Sequence, residues 1–212
     1  MKEYLQSGRF IDSAHPAVAA FAGKFSRGNT ATERAVSLYY VVRDEIRYNP
    51  FLDFSDPEAF RASAVLEANE GFCIGKAALL AATARAAGIP ARVGFADVKN
   101  HLTTPRLAET MGSDLFIYHG YTELHLEGKW VKATPAFNLA LCRRFRVKPL
   151  EFDGRSDSIF HAFDEDDRRH MEYLRERGSF VDVPTAEIQD AFREAYPKYY
   201  RLGPAAARES FG

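Results

Sequence analysis

The stretch GFCIGKAALLAATARAAGIPARV, residues 71–93, decides the fold. Small and apolar residues occupy every face of its first part, which predicts a buried helix that begins at Phe72 or Cys73. Gly88 is placed to end this helix in the left-handed conformation, with Pro90 just beyond it. A helix start gathers backbone N–H groups and the positive end of the helix dipole, and both stabilise a thiolate. Cys73 is therefore a candidate nucleophile, and a small buried hydrophobic residue is the alternative.

The segment after this helix changes from a helical to an alternating hydrophobic period. Residues 91–98 and 114–126 are predicted strands, and a turn at Glu127-Gly128 leads into a third strand at 129–135. Opposite residues of such a hairpin share a face of the sheet. The opposite pairs are His125 with Trp130, Glu123 with Lys132, and Tyr121 with Thr134. We interpret His125 as a partly buried strand residue and Glu123 as the ion-pair partner of Lys132.

One face of this hairpin carries a histidine among polar side chains. Alternation places His119 on the face of Tyr121 and Thr134, diagonally across from Thr134. The other face is more apolar and suits a core: Tyr118, Leu124, Leu126, Val131 and Ala133. A strand histidine and a cysteine at a helix start supply the base and the nucleophile of thiol catalysis. We therefore expect the histidine face to look toward the start of the helix.

The remaining segments have mainly helical patterns. Helices are predicted at 17–25, from a cap at Thr30 or Thr32 to about Tyr48, at 164–177, and at 185–196 with Thr185 as the cap. Helices, then strands, then helices indicate an α+β fold with a helical C-terminal extension. We treat residues 1–212 as a single domain, with a core at about 30–138 and an extension at 139–212.

Composition excludes several classes of function. The chain has 212 residues and a net charge of −1, which gives no electrostatic reason to bind nucleic acid or an anionic membrane. No apolar run reaches the ~18 residues of a membrane span, and the first residues lack a secretory signal, so we expect a cytoplasmic protein. Two cysteines, Cys73 and Cys142, make no disulfide scaffold, and a reducing compartment argues against a bridge between them.

Three motifs, in this order, resemble the transglutaminase-like superfamily. They are RDEIRYNP at 43–50, the cysteine stretch at 71–93, and HGYTELHLEGKWVKATP at 119–135. Together they cover roughly residues 30 to 138. The resemblance implies a papain-like transglutaminase core, in which a central nucleophile helix packs on an antiparallel sheet.

The resemblance also assigns roles to individual residues. It makes Cys73 the nucleophile and His119 the base, and it places Tyr48 near the thiol, where it either helps the oxyanion or serves as a core tyrosine. The family's third residue is an aspartate, and Thr134 occupies that position here. A threonine hydroxyl can accept the ring N–H but brings no charge. Asn138 and Asp114 are near enough in sequence to replace the missing acid.

The implied function is cysteine-dependent acyl chemistry at amide or peptide bonds, with hydrolysis through an acyl-enzyme favoured over cross-linking. Peptide or protein amides are the expected substrates, and no metal or organic cofactor is implied. HAFDEDDRRH, residues 161–170, is interpreted as a solvated acidic loop rather than a metal site. The alternative function is a non-catalytic interaction module that retains the fold.

Two physical expectations follow for an enzyme. The helix start and His119 should lower the pKa of the Cys73 thiol below its free value of ~8.5. The sulfur should lie within roughly 4 Å of a His119 ring nitrogen, with Thr134 or a substitute acceptor on the far side of the ring and a cleft beside the sulfur.

Overall fold

A computed structural model of the protein describes residues 1–101, 109, 111–159, 166 and 171–199. Its helices are α1 (Pro16–Phe25), α2 (Ala31–Glu45), α3 (Ala62–Ala68), α4 (Cys73–Ala86), α5 (Leu139–Phe145) and α6 (Thr185–Ala195). Its strands are β1 (Arg47–Tyr48), β2 (Glu70–Gly71), β3 (Ala91–Asn100), β4 (Leu115–Leu126), β5 (Lys129–Ala133) and β6 (Met171–Phe180). These elements confirm the predicted α+β class.

Helix α4 is the centre of the core, as the sequence predicted. Every residue from Ile74 to Arg85 is buried, and the helix packs on β3, β4 and the three helices that precede it. The hydroxyl of Thr122 in β4 donates a hydrogen bond to the backbone oxygen of Ala77 at 2.8 Å, which joins the sheet to the helix. Gly88 follows the helix with φ of 78°, a left-handed conformation that costs a glycine little.

The main sheet has four antiparallel strands in the order β5-β4-β3-β6. The predicted hairpin register is confirmed, because His125 pairs with Trp130 and Glu123 with Lys132. The ladder ends at Thr122, one residue short of the expected Tyr121–Thr134 pair. His125 is half-buried and packs edge-on against the Trp130 ring.

The predicted ion pair across this hairpin is wrong. Glu123 is buried and pairs with Arg92 of β3, which continues over the Trp130 ring at 4.3 Å. Lys132 pairs instead with Glu176 of β6, with 2.6 Å between nitrogen and oxygen. A buried carboxylate requires a charged partner, and β3, which flanks β4 on the side away from β5, supplies Arg92.

The predicted helix at 164–177 is wrong from Met171 onward, since these residues form β6; most of 160–170 lies outside the described residues. Glu, Arg and Leu favour a helix by only a few tenths of a kcal/mol per residue. Pairing with the free edge of β3 outweighs that preference. The charges of β6 suit an edge strand, where they discourage further pairing.

Two helix ends also differ from the sequence prediction. Thr30 caps α2 in a capping box with Glu33, but the helix stops at Glu45 rather than Tyr48. Tyr48 instead belongs to β1, which pairs with β2 in parallel and brings Tyr48 beside Gly71. Helix α6 begins at Thr185 itself, so the predicted Thr185 cap is wrong.

The two ends of the described chain are tied together at Asp182, shortly before α6. Its carboxylate accepts hydrogen bonds from the backbone N–H groups of Arg9 at 2.7 Å and Ile11 at 2.8 Å. A side chain at Gly8 would collide with it, because a Cβ there would lie 2.6 Å from a carboxylate oxygen. The N-terminal segment therefore positions the start of α6.

Candidate active site

A cavity of about 40 Å³ opens beside the start of α4. Its described lining consists of Tyr48, Pro50, Phe54, Phe72, Cys73, Met111, Phe116, Ile117, His119, Phe192 and Tyr196. Cys73 and His119 thus border one space, together with Tyr48. The cleft that the sequence predicted beside the cysteine is present.

The start of α4 holds Cys73 against strand β4. The first backbone N–H groups of a helix have no partner within it, and at α4 the N-cap residue Phe72 supplies no side-chain hydrogen bond to them. Gly120 allows β4 to approach closely, because a Cβ at that position would lie 2.9 Å from the Cα of Ile74. The residue that follows the histidine is therefore in contact with the residue that follows the cysteine.

The thiol pKa departs from the prediction. Burial raises the pKa of Cys73 to about 11, although hydrogen bonds from the backbone N–H groups of Gly120, Ile74 and Cys73 itself oppose the rise. The expected pKa below ~8.5 is wrong, because the surrounding side chains leave little of the solvent that would stabilise a thiolate. The resting group is a thiol at neutral pH.

His119 lies directly after a β-bulge in β4. Between the pairs Ala96–His119 and Val98–Phe116, β3 has one residue, Asp97, whereas β4 has two, Ile117 and Tyr118. Tyr118 has φ of 53°, which is rare for a bulky residue, and its N–H donates to the Asp97 carboxylate at 3.1 Å. Bulges of this kind re-aim side chains and are common next to active sites.

The carboxylate that holds the bulge is itself fixed by β6. Arg177 donates to Asp97 through Nε and Nη2 at 2.8 to 3.0 Å, and both side chains are largely buried. The Arg177 guanidinium also lies 4.6 Å from the centre of the Tyr118 ring. This charge pair braces the backbone immediately before the histidine, and sequence patterns gave no sign of it.

The apolar face of the hairpin is buried in the core as predicted, but the expectation that the histidine face looks toward the start of α4 is wrong at Tyr121. Gly120 and Thr122 face α4, whereas Tyr121 packs with Ala96 and Val98 on the other side of the sheet. His119 still borders the Cys73 cavity and is only 7% exposed. The helix needed small side chains to approach the strand, and Gly120 and Thr122 provide them.

Tyr48 lies where the resemblance placed it, next to the thiol. Burial raises the pKa of its phenol well above the usual value, and a charge on Cys73 would raise it further. Its ring packs edge-on against Phe137 with 4.9 Å between centroids. The phenol therefore stays protonated and can act only as a hydrogen-bond donor to a developing charge.

Thr134 is buried at the end of the hairpin and is held by the segment that follows Asp157. Its hydroxyl donates to the backbone oxygen of Ile159 at 2.6 Å, and its N–H donates to Ser158 at 2.8 Å. The hydroxyl oxygen keeps lone pairs that can accept a ring N–H.

The two alternative acceptors have other partners. The Asn138 side chain accepts from the N–H of Leu141 at 3.0 Å and caps α5. The Asp114 carboxylate is exposed and pairs with Lys99 at 3.3 Å. Neither residue lines the cavity, and Thr134 does not line it either.

Phe192 and Tyr196 are cavity residues that the sequence prediction missed. They lie four residues apart at the end of α6, a spacing that puts both rings on one helix face. The Tyr196 hydroxyl donates to the Leu115 oxygen at 3.0 Å and accepts from the Ile117 N–H at 2.8 Å. An aromatic pair at this spacing was visible in the sequence, but its docking place was not.

Lys76 is fully buried one helical turn after Cys73. Its ammonium group donates to the backbone oxygens of Arg43 at 2.8 Å and Ile46 at 2.6 Å, at the end of α2. Burial lowers the lysine pKa to about 7, against the opposing attraction of Asp44. The side chain ties the nucleophile helix to α2 and does not line the cavity.

The family model of the transglutaminase-like superfamily matches residues 19–135, more than half of the chain. The chain belongs to this superfamily. The match spans Tyr48, Cys73, His119 and Thr134, which supports cysteine-dependent acyl transfer. It ends before α6, so Phe192 and Tyr196 lie outside the matched residues.

Two solved structures resemble the chain at low sequence identity. A proposed cysteine protease from Cytophaga hutchinsonii aligns with a TM-score of 0.46 and 15% identity, over 84% of this chain and 53% of that chain. A proposed protease from Parabacteroides distasonis aligns with a TM-score of 0.39 and 19% identity, over 62% of this chain and 24% of that chain. The chain thus spans about half of the first protein and a quarter of the second. No curated protein matches the chain.

Among the described residues, no three His, Cys, Asp or Glu side chains come together as a metal site would require. Of the helices in the described part of the chain, none combines the length and apolar character needed to cross a bilayer.

Proposed function

We propose that the protein is a cysteine-dependent hydrolase of peptide or protein amides that works in the cytoplasm through an acyl-enzyme. The observation that carries the proposal is the shared cavity, in which a thiol at a helix start and a buried histidine border the same space. Approach of the Cys73 sulfur to a His119 ring nitrogen within hydrogen-bond reach is part of the proposal.

The raised thiol pKa determines the order of the first step. Because Cys73 is protonated at rest, His119 acts as a general base that takes the thiol proton as the sulfur attacks the substrate carbonyl. The carbonyl carbon gains the C–S bond, and its oxygen takes up the negative charge. His119 then gives the proton to the departing amine as the C–N bond breaks.

The oxyanion has donors at the start of α4. The backbone N–H groups of Cys73 and Ile74 lack partners within the helix, and the dipole adds positive potential there. The protonated Tyr48 phenol borders the same cavity and supplies a further donor. Water activated by His119 then cleaves the thioester and returns the thiol.

Thr134 takes the orienting role in this proposal. Its hydroxyl proton goes to Ile159, which leaves the oxygen to accept from the imidazole. A neutral acceptor fixes the tautomer but does not stabilise the imidazolium that forms when His119 takes the thiol proton.

A non-catalytic interaction module is the second candidate function. Two observations favour it: the family aspartate is replaced by Thr134, and burial raises the pKa of Cys73 to about 11. Such a module needs no accessible thiol, whereas Cys73 is partly exposed and borders a cavity.

Trapping of the acyl-enzyme tests the proposed function. p-Nitrophenyl acetate should give a burst of p-nitrophenolate equal to the protein concentration, and peptide mapping by mass spectrometry should find the acetyl group on Cys73. Cys142→Ser should keep the burst and Cys73→Ser should lose it. Acetylation of neither cysteine, or of Cys142 alone, contradicts the enzyme and favours the interaction module. Addition of a primary amine separates hydrolysis from transfer by the mass of the product.

A further inference from the structure

One wall of the cavity belongs to the C-terminal extension, outside the residues that the family model matches. Phe192 and Tyr196 close one side of the space beside Cys73. Phe192 packs on Phe54 with 5.3 Å between ring centroids, and both Phe192 and Tyr196 are at most 4% exposed. The site is therefore incomplete without α6.

This wall is fixed at both of its ends by hydrogen bonds. The Tyr196 hydroxyl is held between Leu115 and Ile117 of β4. At the other end, the Gln189 amide donates to the backbone oxygens of Phe54 at 2.9 Å and Ser55 at 3.0 Å. A wall held in this way gives the cavity a defined size.

The lining determines which chemical group the cavity can hold. Among the described residues that line it, none carries a formal charge except through titration of His119, Cys73 or a phenol. A charged group placed against the Phe54–Phe192 ring pair would lose its hydration there without gaining a partner. The volume of about 40 Å³ is well below the roughly 150 Å³ of an engineered cavity that holds benzene.

We propose that this cavity is the subsite for the side chain of the residue whose carbonyl Cys73 attacks, that it holds a short, uncharged, apolar side chain, and that α6 sets its length limit through Phe192. The proposal rests on acyl chemistry at Cys73 and adds the class of acyl group to it. The substrate carbonyl carbon bonds to the sulfur while that side chain enters the space between Phe192 and the start of α4, and the acyl chain of a simple ester takes the same space. Longer or charged chains are excluded by the aromatic wall.

A series of p-nitrophenyl esters tests the subsite on the intact protein. The series is acetate, propionate, hexanoate and hemisuccinate, and each rate of Cys73 acylation is divided by the rate with glutathione at the same pH. In the reaction the thiol sulfur bonds to the acyl carbon, p-nitrophenolate leaves, and the thiol proton passes to His119. Acetate and propionate should exceed hexanoate and hemisuccinate by at least about tenfold.

Substitution of the wall provides the second arm. Phe192→Ala should raise the hexanoate-to-acetate ratio at least about fivefold, because the removed ring lengthens the cavity. Ile188→Ala is the matched control, since Ile188 is fully buried on the same helix but does not line the cavity. The hexanoate-to-acetate ratio of Ile188→Ala should stay within about twofold of the ratio for the unmodified protein. Phe192→Leu replaces Phe192→Ala if the latter does not fold, with a smaller shift in the same direction.

The outcomes separate the two proposals. Acylation of Cys73 with no preference for short chains, or a preference that neither Phe192 variant changes, overturns the subsite and leaves the enzyme standing. Absence of Cys73 acylation by all four esters overturns both. A short-chain preference that Phe192→Ala relaxes and Ile188→Ala preserves supports both.

Discussion

Cys73 and Cys142 have similarly raised thiol pKa values but unlike surroundings. Burial raises both values to about 11. Cys142 is 1% exposed in α5, whereas Cys73 is partly exposed at the start of α4 and borders the cavity with His119. The pKa therefore does not distinguish a nucleophile from a structural thiol in this protein. Access and a neighbouring base do.

The largest effect should come from exchange of each cysteine in turn. Cys73→Ala should lower acyl-ester turnover by at least about 10⁴-fold, because it removes the nucleophile. Cys142→Ala should change turnover less than threefold, although a small cavity in α5 should lower stability. Steady-state kinetics with a short-chain ester measures both. Equal losses of turnover in the two variants would mean that Cys73 is no more important to the reaction than Cys142.

The histidines of β4 provide the next contrast. His119→Asn should lower acylation by about 10²–10⁴-fold, as expected for loss of a general base. His125→Asn is the matched control on the same strand, since His125 packs on Trp130 and does not line the cavity. The burst rate of p-nitrophenolate reports both. A His125→Asn loss as large as that of His119→Asn would argue against the assigned base.

The pH dependence of alkylation sharpens the comparison between the thiols. A pKa raised to about 11 means that the thiolate fraction, and hence the iodoacetamide rate, should keep rising with pH up to about 11 for both cysteines. At pH 7.5 the smaller thiolate fraction slows Cys73, and the greater nucleophilicity of a more basic thiolate offsets part of that loss. We therefore expect Cys73 to react roughly 10- to 100-fold more slowly than a small free thiol. Mass-resolved labelling follows each site. A plateau for Cys73 between pH 6 and 9 would mean a preformed thiolate–imidazolium pair.

Thr134 should have a smaller effect on the same chemistry. Thr134→Val removes the hydroxyl that we assign to the imidazole, and we expect about a tenfold loss of acylation at Cys73 with Cys142 alkylation unchanged. Loss of the hydrogen bond to Ile159 should cost about 1 kcal/mol of unfolding free energy. Thr134→Ser keeps the hydroxyl and should restore most of the rate. An unchanged rate in Thr134→Val would assign the ring acceptor to another group.

Lys76 should have the smallest effect on rate, although it is buried one helical turn after Cys73. Lys76→Met leaves two buried carbonyl groups of α2 without a donor and should lower the free energy of unfolding by about 1–3 kcal/mol. Acylation should change less than threefold, because the lysine does not line the cavity. Urea unfolding and burst kinetics measure the two effects. A rate loss without a stability loss would give Lys76 a role in the chemistry.

The parts of the fold that sequence predicted are those encoded by local patterns. The all-round apolar helix α4, its glycine stop at Gly88 and the hairpin around Glu127-Gly128 each need only neighbouring residues to specify them. Strand β6 was missed because its hydrogen-bond partner, β3, lies about 80 residues earlier, and its own composition favours a helix.

The candidate site likewise has some features that sequence could predict and others that it could not. The cysteine, the histidine and Tyr48 could be located from motifs with fixed spacing. The bulge before His119 depends on Asp97, which is fixed by Arg177 from a third strand, and no sequence pattern records that meeting. The thiol pKa depends on burial by rings from distant segments, such as Phe192, whose docking place an aromatic spacing does not specify.

The tie between Asp182 and the N-terminal segment bears on how the protein can be shortened. Residues 1–11 precede the superfamily match and contribute nothing to the cavity lining, so they would be natural candidates for removal. Their backbone N–H groups nevertheless hold the carboxylate that stands three residues before α6. A protein trimmed to begin at Asp12 would keep Cys73 and His119 but would lose the buried side chains of Phe10 and Ile11 and loosen the helix that carries Phe192. Such trimming would broaden the acyl groups accepted before it abolished the reaction.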